Sequence, residues 1–334
     1  MSAVDRARRV LASVPARVVL PEGEDPRIVE AAAILRRSES VDAILLGDSA
    51  RVESVATGLG LRRADLEILD PAARAAVAND YARLYQQARP GTRPALAQRI
   101  VARPLFHAGM MLRSGEVDAM VAGATCPTAR VIEAALMTIG LAAGVDTPSS
   151  SFLISMADAG STTCRDLLFA DCALNVDPTP EALADIGLAS ARTMLELTGE
   201  TPRVAFLSFS THGSARHPRV DRVRTAVEIA RRRAPALAIE GELQADAALA
   251  PRVAALKLGD VGEVAGRANV LVFPDLDSAN IGYKLVQYLC GAQALGPILQ
   301  GFARPVSDLS RGARVADIVE TTLVTLARGL AATR

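Results

Sequence analysis

Toward its C-terminal end the sequence brings a hydroxyl, a guanidinium and a carboxylate within eight positions, at Ser310, Arg311 and Asp317. They lie in and just after the run Pro305-Val306-Ser307-Asp308-Leu309-Ser310-Arg311-Gly312, where a loop becomes a helix. A hydroxyl can donate to a carbonyl oxygen that gains negative charge. A guanidinium can hold a phosphoryl group through two parallel N–H bonds. A carboxylate can take a proton. Together they could manage an acyl group, an anionic phosphate and a proton in one small volume. Each also has a plainer use: a helix cap for Ser310, a surface ion pair for Arg311, and a first-turn carboxylate favoured by the helix dipole for Asp317.

Three other segments carry groups suited to anions: Gly123 to Thr128, Ser208 to Pro218, and Asp275 to Lys284. Small hydroxyl residues and glycines expose backbone N–H groups, and a following helix start adds its positive end. Thr128, Ser210, Thr211, Gly213, Ser214, Asp277, Asn280 and Lys284 are the candidate contacts there. Ordinary turn and capping chemistry uses the same residue types. His212 and His217 sit five apart with no third ligand, which favours hydrogen bonding or loop packing over a metal. Gly58-Leu59-Gly60 lacks the third glycine of a dinucleotide turn, and no P-loop lysine pattern occurs.

The elements that must position these loops alternate short apolar runs with longer helical ones. Ala16 to Pro21, Val41 to Leu46, Val117 to Gly123, Arg203 to Ser208 and Asn269 to Phe273 read as strands. Pro26 to Arg37, a segment with Val131, Ala134, Ala135 and Met137, Val220 to Arg231, and Arg314 to Leu330 read as helices. A strand–helix–strand rhythm predicts right-handed crossovers and a mainly parallel sheet. In such a sheet ligands collect beyond the carboxyl ends of the strands.

Length and composition narrow the class. At 334 residues the chain suits two domains, and at 50% apolar it can bury a large core. Basic and acidic residues balance at 37 each, so no basic field would gather nucleic acid. The only lysines are Lys257 and Lys284, a bias that fits genomic base composition. The cysteines Cys126, Cys164, Cys172 and Cys290 form no C-x-x-C pair or zinc spacing, and with three histidines no metal site is expected. The first fifteen residues are charged throughout, and no apolar run reaches membrane length, so a cytoplasmic protein with reduced thiols is the expectation. Pro148 to Ser151 and Gly291 to Gly301 are the candidate boundaries.

Several phrases together resemble the phosphate acetyltransferase / phosphate butyryltransferase family, and its acetyl enzymes more closely. They are Ala170 to Thr179, Ser210-Thr211-His212-Gly213-Ser214, Gly241 to Ala248, Phe273 to Asp277, Gly296 to Gly301, and Asp308 to Gly312. The match is strong over about residues 115 to 330 and looser before, chiefly at Leu20-Pro21-Glu22-Gly23. The resemblance implies two three-layer α/β domains with mainly parallel sheets and an interdomain cleft, similar to isocitrate and isopropylmalate dehydrogenases. The implied domains are 1–148 with the returning segment 299–334, and 149–298. It implies a homodimer and the reaction acetyl phosphate + CoA ⇌ acetyl-CoA + phosphate, with CoA as substrate and no tightly bound cofactor.

The resemblance carries Asp317 over as the base for the CoA thiol, Ser310 as the donor to the acyl oxygen, and Arg311 as the phosphoryl clamp. A free thiol ionises near pH 8.5, so a placed base helps attack. No cysteine falls at a nucleophile position, and direct transfer needs no acyl-enzyme. The chain departs from the family at Glu133, where an arginine is usual on the helix after the glycine loop. Arg130, one turn earlier, is the nearest cation. Arg89 in Arg89-Pro90-Gly91 is the nearest match to a second family arginine, and Ala279 replaces a usual glycine. Transfer of propionyl or butyryl groups, and a non-catalytic acyl-CoA-sensing module, are the alternatives. A decarboxylating dehydrogenase would need an acidic metal cluster and a nicotinamide site that the sequence does not offer.

Overall fold

The computed structural model describes residues 2–157, 164–259 and 261–331. Eleven strands occur among them: β1 Ala16–Leu20, β2 Val41–Leu46, β3 Glu67–Leu69, β4 Ala119–Ala122, β5 Ser149–Ala157, β6 Cys164–Ala170, β7 Arg203–Leu207, β8 Ala238–Leu243, β9 Val270–Val272, β10 Gln293–Gln300 and β11 Val306–Asp308. The chain divides into two compact units, one of Ala3–Ala143 with the segment from Phe302 onward, the other of Gly144–Gly301.

In the first unit the strands lie in the order β3-β2-β1-β4-β11. Every pair is parallel. Val18, Val19, Leu20, Leu45, Leu46, Met120 and Val121 are buried, as strands covered on both faces require. Helix Pro26–Ser38 starts where Asp25 accepts from Arg27 N at 2.9 Å and Pro26 sets the first turn. Helix Val315–Ala331 buries Ile318, Val319, Leu323 and Leu326, the apolar period read from the sequence.

In the second unit the order is β10-β5-β6-β9-β7-β8. Strands β6, β9, β7 and β8 run parallel, while β5 is antiparallel to both β6 and β10. The strand–helix rhythm does not announce these antiparallel members. Strand β5 opens with Ser149-Ser150-Ser151, which hides its character, yet all three serines are fully buried. Ser149 Oγ donates to Gln300 Oε1 at 3.0 Å, and Ser150 Oγ donates to Asp171. At Ser149 and Ser150 hydrogen bonds therefore stand where apolar side chains are expected.

The segment Asp275 to Lys284, expected as a loop, is mostly helix Leu276–Cys290. Asp275 caps it by accepting from Ser278 N at 2.9 Å. The dense Asp, Ser and Asn signal marks a helix start rather than a loop. Tyr283 holds the helix to β5 by stacking on Phe152, with ring centres 4.2 Å apart.

Candidate active site

In the first unit the ends of three parallel strands meet. β1 leads into Glu22, β4 into Gly123, and β11 into Leu309 and Ser310. The loop 123–126 does present a row of N–H groups, but its anion is internal. Glu22 Oε2 accepts from Gly123 N and Ala124 N, both at 2.8 Å. Its Oε1 accepts from Thr125 N at 2.8 Å, Thr125 Oγ1 at 2.6 Å and Cys126 N at 3.1 Å. The N–H groups of Gly123 to Cys126 are thus already bonded within the chain, which the expectation of an open anion nest at Gly123 to Thr128 did not foresee. Thr128 gives its only hydroxyl proton to Asp308 Oδ2, so toward a ligand it can only accept.

The turn that carries Ser310 and Arg311 is tied to the same loop by Arg27. Its Nη1 donates to Arg311 O at 2.8 Å and Ala313 O at 2.9 Å, and its Nη2 to Ala124 O at 3.0 Å. Asp25 orients the guanidinium through Nε and Nη2. Ser310 and Arg311 are left exposed on this turn. Ser310 Oγ lies 3.3 Å from Gly312 N, as acceptor, and its proton has no partner among the described residues. It caps the turn rather than helix Val315–Ala331. Among the described residues the Arg311 guanidinium has no partner.

Asp317 is bound more tightly than its expected role requires. Its Oδ2 accepts from Arg314 N at 2.9 Å and Nε at 3.2 Å, and its Oδ1 from Arg314 Nη2 at 3.0 Å. Burial pushes its carboxyl up, but the Arg314 side-chain and backbone bonds outweigh that and hold it below the ordinary range. It is therefore an ionised carboxylate at the first turn of its helix.

Three other expected cation positions resolve as follows. Arg130 Nη1 pairs with Glu133 Oε2 at 2.7 Å, so its charge is offset within its own helix turn. Arg89 donates through Nη2 to Leu136 O at 2.7 Å, near the end of helix Thr128–Thr138. Lys284 is exposed, 5.9 Å from the Tyr283 ring centre. A cavity of about 300 Å³ opens beside Glu22, lined in part by Pro21, Arg103, Phe106, Thr125, Cys126 and Arg130. Burial first, then Glu22, push the Cys126 thiol up to about 12, which leaves little thiolate at neutral pH.

The second unit repeats the internal-anion device. Glu242 is 1% exposed and accepts from Ser210 Oγ at 2.8 Å, Gly213 N at 2.7 Å and Arg224 Nε at 2.9 Å. Burial pushes its carboxyl up, and the Gly213 N–H, Ser210 and Arg224 hold it down. Ser210 is fully buried and Thr211 nearly so, with Thr211 Oγ1 bonded to Gln244. Ser214 Oγ accepts from Thr211 N at 3.0 Å. Ser210 and Thr211 both hold the loop through these bonds. His212 Nε2 lies 3.4 Å from Glu240 Oε1, and no metal-holding cluster occurs among the described residues. Asn280 donates to Cys172 O at 3.1 Å, tying its helix to the loop after β6, while Asp277 is exposed.

The residues that sequence reading passed over are those that hold others: Glu22, Arg27, Arg224, Glu242, Asp308 and Arg314. Only Arg314 carried a local signal, its three-residue spacing to Asp317.

The family model described as "Phosphate acetyl/butaryl transferase" matches residues 2–326. A "Phosphate acetyltransferase" of Clostridium acetobutylicum is 43% identical over 312 residues, covering 93% of each chain. A solved "EutD phosphotransacetylase from Staphylococcus aureus" superposes with a TM-score of 0.90 at 36% identity, over 98% of each chain. A 4-hydroxythreonine-4-phosphate dehydrogenase from Klebsiella pneumoniae, at 12% identity and a TM-score of 0.54 over 95% of this chain and 100% of that one, shares the fold alone.

Proposed function

This chain belongs to the phosphate acetyl/butyryl transferase family, and from that premise we propose that it transfers an acetyl group reversibly between acetyl phosphate and CoA. The observation that carries the proposal is the turn 310–313. Held from behind by Arg27, it offers a hydroxyl proton and a guanidinium that have no partner among the described residues. In the proposed step the CoA sulfur attacks the acetyl carbon, the C–S bond forms, and the bond to the phosphate oxygen breaks. Ser310 donates to the carbonyl oxygen as its charge grows. Arg311 clamps the departing phosphate through paired N–H bonds. The thiol proton passes to Asp317, which is already ionised at neutral pH. The raised thiol of Cys126 agrees with direct transfer, without an acylated cysteine.

The cavity beside Glu22 supports binding of the pantetheine arm, with its apolar wall of Pro21, Pro104, Leu105 and Phe106. Arg89, Asp277, Asn280 and Lys284 stand as proposed substrate contacts. The assembly we propose is a homodimer. Helix Leu276–Cys290 leaves Ile281, Leu285, Tyr288 and Leu289 exposed at 57%, 52%, 83% and 78%. Their spacing puts them on one stripe, an apolar face that water covers poorly. A cytoplasmic location fits this chemistry, and no helix among the described residues is long and apolar enough to cross a membrane.

The test is acetyl-CoA formation by the purified chain from acetyl phosphate and CoA. Propionyl and butyryl phosphate run beside it to rank chain length. No turnover with any of the three would overturn the proposal. CoA binding by calorimetry without turnover would instead favour an acyl-CoA sensor, a reading to which the offset charge at Arg130 and Glu133 lends support.

A further inference from the structure

Asp308 closes β11 immediately before Leu309 and Ser310, and is 1% exposed. Its Oδ2 takes the Thr128 hydroxyl, while its Oδ1 is buried and makes no well-formed hydrogen bond among the described residues, the adjacent Leu309 N–H being only a weak influence on the carboxyl. The space beside Oδ1 exists only because residue 123 is glycine. A Cβ there would lie 2.1 Å from Oδ1 and 2.8 Å from both Leu309 N and Leu309 O. A buried carboxylate oxygen with no partner costs more when the group is ionised than when it is the neutral acid.

The surroundings favour the neutral form. Glu22, from the loop after β1, sits in the same loop 123–126 and repels a second negative charge. Cys126 from that loop is a neutral thiol. Arg27 is bound to the carbonyls of Ala124, Arg311 and Ala313 and to Asp25. Helix Val315–Ala331 meets β11 through Thr325 and Ser307, both uncharged, at 2.8 Å. Helix Thr128–Thr138 contributes the Thr128 hydroxyl.

We propose that Asp308 is a positioning residue: as the neutral acid it ties the end of β11 to the start of helix Thr128–Thr138 and so sets the turn that carries Ser310 and Arg311, and its ionisation loosens that turn. The inference rests on the proposed role of that turn in acyl transfer. Burial above all, with Glu22 adding to it against the Thr128 and nearby Leu309 donors, pushes the Asp308 carboxyl up to about 7. Transfer should therefore fall off as pH rises through that value.

The test compares kcat at saturating substrates from pH 5.5 to 9 for the wild type, Asp308→Asn and Thr128→Val. Asparagine keeps an acceptor for Thr128 and cannot ionise. Its kcat at pH 6 should stay within about threefold of wild type, with the alkaline decline near pH 7 gone. Valine removes the tie itself and a donor that opposes the shift, so kcat should fall at every pH and the decline should move to higher pH. A second readout is thermal unfolding, which needs no activity. A carboxyl raised in the folded state contributes stability that is full below its unfolded value and is lost as pH rises through about 7. Subtracting the Asp308→Asn profile from the wild-type profile should show that loss. An unchanged alkaline limb in Asp308→Asn, a downward or absent shift in Thr128→Val, or parallel unfolding profiles would overturn the proposal. A wild type inactive at every pH would defeat the proposed acyl transfer instead, and the unfolding profiles would still decide whether Asp308 is held neutral.

Discussion

At Asp317 two influences compete. Burial raises the carboxyl, and the three Arg314 bonds lower it by more. A base must be ionised to accept a proton, so activity should fall as pH drops through the lowered Asp317 value. Arg314→Gln removes the guanidinium and leaves the upward push of burial. The acid limb of kcat should then move to higher pH, read from a pH–rate profile, and a limb that stays put would mean that Asp317 is not the titrating base. The candidate set Ser310, Arg311 and Asp317 was legible in the sequence, because the three are close neighbours along the chain. Their partners were not. Arg27 meets the Arg311 carbonyl across 284 positions, and Glu22 meets Gly123 across 101. Only the fold brings such groups together, and local spacing says nothing of them.

At the scale of elements, glutamates from the chain itself accept from the glycine and hydroxyl loops. Glu22 accepts five bonds in the loop 123–126, and Glu242 accepts three around Ser210 to Arg224. Glu22→Gln would set an amide N–H₂ or a weaker neutral oxygen against those N–H groups. Bonds to a charged acceptor are the stronger kind, and each donor left unpaired costs about 1–3 kcal/mol. The first unit should lose at least about 2 kcal/mol, seen as a lower midpoint in urea unfolding. Wild-type stability in the Glu22→Gln variant would show that the carboxylate is not what holds the loop. Apolar strands such as β2 and β9 and the helices Pro26–Ser38 and Val315–Ala331 were readable from periodicity. β5 was hidden by its buried serines, and helix Leu276–Cys290 by a polar start that serves as its cap.

At the scale of the whole molecule, the exposed stripe on helix Leu276–Cys290 bears on assembly. If it joins two copies, Leu285→Lys with Leu289→Lys should convert a dimer to a monomer in light scattering after gel filtration, and a dimer that persists would place the contact elsewhere. The sequence showed that two α/β domains and a parallel-rich core were to be expected, through the strand–helix rhythm and the family phrases. It could not show which loops are closed by the chain itself. The central claim is that the turn after β11 and the first turn of the last helix perform acyl transfer. The most direct test measures kcat and KM for acetyl-CoA formation in the wild type and in Asp317→Asn. The account predicts turnover by the wild type, and a kcat lower by about 10²-fold or more in the variant with little change in KM for acetyl phosphate. A variant that turns over at nearly the wild-type rate would contradict it.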